Sequence, residues 1–193
     1  PISGTGNGLT NILTGNAFAN TLSGLGGADT LNGLGGADTM EGGDGADTYI
    51  VDNSGDVTTE TSALGGVDLV KSSVTRTLGA HLENLTLIGG SPLNGTGNGL
   101  SNTIIGNSGV NTLNGASGAD TLNGAGGADT LNGGLGNDTL TGGANNDVFV
   151  FNTALAANLD IITDYNVAAD TVRLENAIFT GLAAGVLSAG AFH

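Results

Sequence analysis

The sequence contains no cysteine, which excludes disulfide cross-links and thiolate metal centres. Basic residues are nearly as scarce: 3 Lys and Arg face 18 Asp and Glu, a formal charge of -15 that argues against nucleic acid as a partner. No run of 18 apolar residues occurs, so no transmembrane helix is expected. The only histidines are His81 and His193, and neither a Gly-x-Ser-x-Gly elbow nor a phosphate-binding glycine loop is present. The region is therefore expected to be noncatalytic, with His81, beside Glu83, a surface or hydrogen-bonded polar residue. Pro1 is preceded by no Met and followed by no signal-like stretch, as expected of a fragment or processed piece of a longer protein.

Glycine is what the chain has in quantity, 37 of 193 residues, and it comes with a period of nine. Each unit carries glycine at its first position, Asp or Asn at its sixth and a large apolar residue at its eighth. In the first block the sixth positions are Asn11, Asn20, Asp29, Asp38 and Asp47, and the eighth are Leu13, Leu22, Leu31, Met40 and Tyr49. The second block repeats the pattern with Asn102, Asn111, Asp120, Asp129, Asp138 and Asp147, and with Ile104, Leu113, Leu122, Leu131, Leu140 and Phe149. Self-similarity at a short fixed period is the mark of a solenoid.

Elementary geometry says what such a unit builds. Thr-Leu-Asn triplets set one inward apolar side chain between two outward polar ones, because successive strand residues point to opposite faces. The other six residues form a corner, where glycine supplies positive φ and lets backbone carbonyls approach a common centre. Two units make one coil, so residues eighteen apart stack. Leu13, Leu31 and Tyr49 form one inner column, with Leu22 and Met40 opposite. The acids stack likewise, pairing Asp29 with Asp47, Asp120 with Asp138, and Asp129 with Asp147.

Stacked carboxylates repel unless a cation lies between them. Carboxylate and carbonyl oxygens are a hard ligand set that favours calcium over softer metals and over magnesium, with several ions along the chain. The expected ligands are Asp29, Asp38, Asp47, Asp120, Asp129, Asp138 and Asp147, with Asp56 closing one further site. The corner glycines Gly24, Gly27, Gly33, Gly36, Gly42, Gly45, Gly124, Gly127, Gly133, Gly136 and Gly142 surround them. Where Asn takes the sixth position the charge is missing, and the side chain is expected to close the turn by bonding to backbone. Asp52, Glu60 and Asp68 read more readily as solvated surface acids. One apolar side chain per nine residues makes a narrow core, so calcium binding is expected to be coupled to folding.

Gly42-Gly43-Asp44-Gly45-Ala46-Asp47-Thr48-Tyr49-Ile50 and Gly133-Gly134-Leu135-Gly136-Asn137-Asp138-Thr139-Leu140-Thr141 follow G-G-x-G-x-D-x-U-x throughout. The chain thereby resembles the RTX (repeats-in-toxin) calcium-binding region of bacterial proteins exported by type I secretion. It departs from the pattern at Leu25, Leu34, Ala116 and Ala125, which replace the second glycine, and at Asn145, which replaces the fourth. The resemblance implies an all-β, right-handed parallel β-roll or β-helix solenoid with a C-terminal β cap. It also implies calcium as the ion, the type I secretion machinery as a partner, and a secreted, extracellular or cell-surface location.

Gly4 to Leu9 recurs as Gly95 to Leu100, so the chain reads as a tandem duplication. Residues 1–93 form a first roll followed by a strand insert and 94–193 a second roll with its capping segment, or the two make one continuous solenoid. Asp160 to Tyr165 and Asp170 to Leu174 resemble the family's capping strands, and Ala177 to Phe192 fits a short amphipathic helix or a strand with a loop. A second functional reading comes from the outward faces. Thr ladders at eighteen-residue spacing, flanked by Asn32, Asn114, Asn123 and Asn132, would suit a surface-layer, filament or adhesin solenoid that self-associates or binds ice or cell-surface polysaccharide.

Overall fold

The structure is a computed structural model that describes residues 1–61, 65–153 and 158–175. Among these residues all regular structure is strand. Each Thr-Leu-Asn-type triplet forms a strand of about three residues, and every strand pairs in parallel with the one a coil away. Consecutive strands alternate between facing sheets. One sheet has four strands: β1 (Ser3–Asn7), β3 (Thr21–Gly26), β5 (Thr39–Asp44) and β7 (Val57–Thr59). The facing sheet has nine: β2 (Ile12–Thr14), β4 (Thr30–Asn32), β6 (Thr48–Val51), β8 (Leu69–Ser72), β10 (Asn84–Leu87), β12 (Thr103–Ile105), β14 (Thr121–Asn123), β16 (Thr139–Thr141) and β18 (Ile161–Ile162). A third, six-stranded sheet holds β9 (Arg76–Thr77), β11 (Asn94–Thr96), β13 (Thr112–Asn114), β15 (Thr130–Asn132), β17 (Val148–Phe151) and β19 (Thr171–Leu174). The result is a β-solenoid of the β-roll kind.

The nine-stranded sheet crosses the region between the repeat blocks, because β10 pairs with β8 on one side and with β12 on the other. The opposite wall is split there, since no ladder joins β7 to β9. The core is a thin double column. Leu13, Leu31 and Tyr49 stack in register, Leu22 lies on Met40, and Leu31, Tyr49, Leu22 and Met40 are buried. Ile104, Leu122 and Leu140, facing Leu113, Leu131 and Phe149, continue it, and Val70, Leu82 and Leu85 fill the length between.

Threonine ladders form as the period requires, with Thr103, Thr121 and Thr139 in one row and Thr112 and Thr130 in another. The asparagine row is broken: Asn32 faces Ile50, and Asn123 lies between Ile105 and Thr141. At the C-terminal end β18 adds to β16 and β19 to β17, so the tail contributes a further strand to each wall. Tyr165 meets Phe149 edge-on with centroids 6.3 Å apart, over the last core side chain. The stretch Ala177 to Phe192 lies outside the described residues.

Candidate metal centre

A strand of about three residues on either side of a six-residue corner leaves little freedom for the residue that leads into the strand, and that residue is the repeat's acid. Its amide is held by the acid of the following coil. Asp29 N donates to Asp47 Oδ1 at 2.7 Å, Asp120 N to Asp138 Oδ1 at 2.8 Å, and Asp129 N to Asp147 Oδ1 at 2.9 Å, each across eighteen residues. The Asn turns join the same ladder through Asn11 N to Asp29 Oδ1, 2.6 Å, and Asn111 N to Asp129 Oδ1, 2.7 Å.

One carboxylate oxygen is thus spent on the backbone. The other, Oδ2 of Asp29, Asp38, Asp47, Asp120, Asp129 and Asp138, is buried and has no hydrogen-bond partner. A buried carboxylate oxygen without a donor is strongly unfavourable unless a proton or a cation meets it. Each lies over the first glycine of its own unit. A Cβ on Gly24 would overlap Asp29 Oδ2 and meet the Gly42 carbonyl oxygen of the next coil, and Gly115 and Gly124 relate in the same way to Asp120 and Asp129. Gly33, Gly42, Gly133 and Gly142 lie equally close to Asp38, Asp47, Asp138 and Asp147. The fourth-position glycines Gly27, Gly36, Gly45, Gly127 and Gly136 have φ between 104° and 134° and stack on the corner one coil earlier, where no side chain fits. Carboxylate and carbonyl oxygens converging on a side-chain-free notch are a hard-cation donor set.

The RTX calcium-binding nonapeptide repeat model matches residues 5–40, 14–49, 96–131 and 124–152, which together span both repeat blocks. The chain belongs to that family. No curated protein matches it significantly. It is a calcium-binding RTX module, and an RTX roll is a structural, noncatalytic unit. Among the described residues no helix is long and apolar enough to cross a membrane.

Two kinds of RTX corner occur, a pair of Asn corners and then a run of Asp corners in each block, and the residue at the second position separates them. In the Asp corners that residue is left-handed whether or not it is glycine: Leu25 has φ 76°, Leu34 59°, Ala116 76° and Ala125 69°, beside Gly43, Gly134 and Gly143. Its amide turns away from the acid, and in three corners it donates to the Asn that ends the preceding strand: Leu34 N to Asn32, Ala116 N to Asn114, and Ala125 N to Asn123. These asparagines thus hold the corner, besides facing outward. In the Asn corners the second residue keeps negative φ and its amide points inward, as in Asn16 N to Asn20 Oδ1 at 2.7 Å and Asn107 N to Asn111 Oδ1 at 2.8 Å. Asn111 Nδ2 further donates to Leu93 O at 2.7 Å, so these turns are closed by the side chain itself.

Asp56 stands apart among the expected ligands. Its Oδ1 accepts from Asp38 N at 3.0 Å, but its Oδ2 also accepts from Asp52 N and Asn53 N at 3.2 and 3.1 Å, so both oxygens are engaged. Asp52 is exposed, as expected of a surface acid. Glu60 and Asp68 are not surface acids: they are 6% and 1% exposed, because the insert folds back into the coil and turns both inward. Asp68 Oδ1 accepts from Asp47 N at 2.7 Å, Glu83 Oε2 from Asp68 N at 2.9 Å, Asp160 Oδ1 from Asp138 N at 3.1 Å, and Asp170 Oδ1 from Asp147 N at 3.0 Å. The ladder therefore runs beyond the nonapeptide units, at spacings of 21, 15, 22 and 23 residues. A legible signal was present: an acid directly before a strand with an apolar residue two places on, as in Asp68-Leu69-Val70 and Asp160-Ile161-Ile162.

Burial dominates the protonation of these acids. It raises Asp120 to about 7 and Asp129 to about 6, with the stacked Asp138 and Asp147 carboxylates adding to the effect. Asp68 rises to about 6 and Glu60 to about 7, and Asp47, Asp138, Asp147 and Asp160 move the same way, all chiefly by desolvation.

Proposed function

We propose that this chain is a calcium-triggered folding module of a larger protein exported by type I secretion, disordered where calcium is scarce and rigid outside the cell. The buried, unpartnered Oδ2 row carries the reading: left bare, it opposes folding, and it is neutralised by a hard cation. The ligands assigned are Asp29, Asp38, Asp47, Asp120, Asp129, Asp138 and Asp147, joined at Asp29, Asp120 and Asp129 by the carbonyls of Gly42, Gly133 and Gly142 of the next coil. An ion then joins acids eighteen residues apart, Asp120 with Asp138 and Asp129 with Asp147. Membership of the RTX repeat family supports the export reading.

Circular dichroism and thermal melting in chelator and then in excess calcium test the coupling. Loss of β signal and of the cooperative melt in chelator, both restored by calcium, is expected. An unchanged signal and midpoint after verified removal of metal would sink the reading.

A further inference from the structure

We infer that the junction between the first repeat block and the insert holds a calcium site of its own, built from Asp47, Glu60 and Asp68 around the notch above Gly42. The inference rests on the calcium reading just given and adds a ligand set that the nonapeptide pattern does not contain. One carboxylate oxygen from each of the three acids lies within 4.8 Å of the others, and all three residues are buried. The oxygen that requires a ligand is Asp47 Oδ2, on a side chain 1% exposed, with no hydrogen-bond donor.

Comparison with the regular corners shows what has changed. Above Gly24, Gly115 and Gly124 the notch is bounded by the unit's own Asp and by a glycine carbonyl eighteen residues on. Above Gly42 the residue at that offset is Glu60, and a Cβ there would meet Asp47 Oδ2, Glu60 Oε1 at 2.5 Å and the Tyr49 hydroxyl at 2.6 Å. A charged oxygen thus takes the place of a neutral carbonyl. The surrounding bonds fix these groups: Gly43 N donates to Glu60 Oε2 at 3.2 Å, Gly42 N to the Tyr49 hydroxyl at 2.7 Å, and Asp47 N to Asp68 Oδ1 at 2.7 Å. The Tyr49 hydroxyl also bonds Glu60 Oε1.

Three carboxylates and a phenol oxygen suit calcium, whose coordination tolerates irregular oxygen sets, and they suit its trivalent lanthanide mimics at least as well because of the added charge. Such an ion would tie the insert to the repeats at the point where the eighteen-residue spacing first fails.

The chain has two tyrosines and no tryptophan, so terbium bound near Tyr49 can be excited through tyrosine alone. The full chain carrying Tyr165→Phe is titrated with terbium, and calcium per chain is counted by equilibrium dialysis with metal analysis. The same is done with Glu60→Gln and with Asp68→Asn, each of which keeps a hydrogen-bond acceptor while removing charge. The expected result is tyrosine-sensitised emission that falls sharply in both variants, with one calcium fewer per chain and the β signal in calcium retained. An unchanged calcium count and unchanged emission in the variants would overturn the site. Should the variants fold poorly, absence of sensitised emission from the Tyr165→Phe chain, which keeps every ligand, overturns it equally. A parent chain that binds no calcium at all would instead overturn the proposed function.

Discussion

At the residue scale, the feature that decides whether a corner offers a free carboxylate oxygen is the backbone of its second residue. Leu25, Leu34, Ala116 and Ala125 occupy left-handed conformations that cost an L-residue roughly 1–2 kcal/mol. The sequence marks these positions as departures from glycine. It does not reveal that the fold keeps the glycine conformation regardless, because the bonds that the amides of Leu34, Ala116 and Ala125 donate to Asn32, Asn114 and Asn123 depend on the folded corner. Restoring glycine should relieve the strain, offset in part by the greater flexibility of glycine in the unfolded chain. Ala125→Gly and Leu25→Gly are each expected to stabilise the calcium-loaded chain by about 0.5–1 kcal/mol. Denaturant titration in excess calcium checks this, and a lower midpoint would mean that Leu25 or Ala125 contributes packing that outweighs its backbone strain.

At the scale of elements, the nonapeptide period was enough to place strands, inner columns and the acid ladder wherever units repeat without interruption. Leu31 on Tyr49 and Asp120 N on Asp138 both follow from counting eighteen residues. Counting fails in the insert, where successive rungs are 21 and 15 residues apart, so the inward aim of Asp68 and Glu60 could not be read from periodicity. The period does not mark the role of Arg76 either. It lies in β9, opposite the end of β7, where the wall lacks a ladder, and its guanidinium spans the gap to Asp56 O at 2.8 Å and Thr58 Oγ1 at 2.6 Å. An arginine here does with its side chain what strand pairing does elsewhere. Replacing it with methionine keeps the apolar stem and removes both bonds, and charge-assisted bonds of this kind contribute about 1.5–3 kcal/mol. Arg76→Met is expected to lower unfolding free energy by about 2–3 kcal/mol without changing the number of calcium ions bound. Equal stability of the two chains would show that the split wall needs no bridge.

At the scale of the molecule, the raised carboxyl values set an unusual pH dependence. Without metal, the folded roll holds protons on Asp120, Asp129, Asp68 and Glu60 up to about pH 6–7, where the unfolded chain has already released them. The folded state binds more protons, so stability is greatest below the ordinary carboxylate range and is lost as pH rises through about 6–7. Calcium displaces those protons and reverses the slope. In chelator, residual β signal is therefore expected to be greater at pH 5 than at pH 8, whereas in calcium the melting temperature is higher at pH 8 and calcium affinity falls below about pH 7. Metal-free β signal that grows as pH rises would contradict the burial of these acids. The Asn corners bring a different consequence, for the order in which the roll assembles. Asn98, Asn102, Asn107 and Asn111 close their turns with neutral side chains midway along the chain, flanked on both sides by corners that require an ion. In a one-dimensional array folding can start at any unit and spread to its neighbours. The Asn-closed coils are thus the natural nucleus, ready before calcium arrives, and the ions then drive propagation outward along both arms. In falling calcium, hydrogen exchange should strip protection from 21–49 and 121–149 first and from 94–114 last; simultaneous loss throughout would mean that the roll has no such seed.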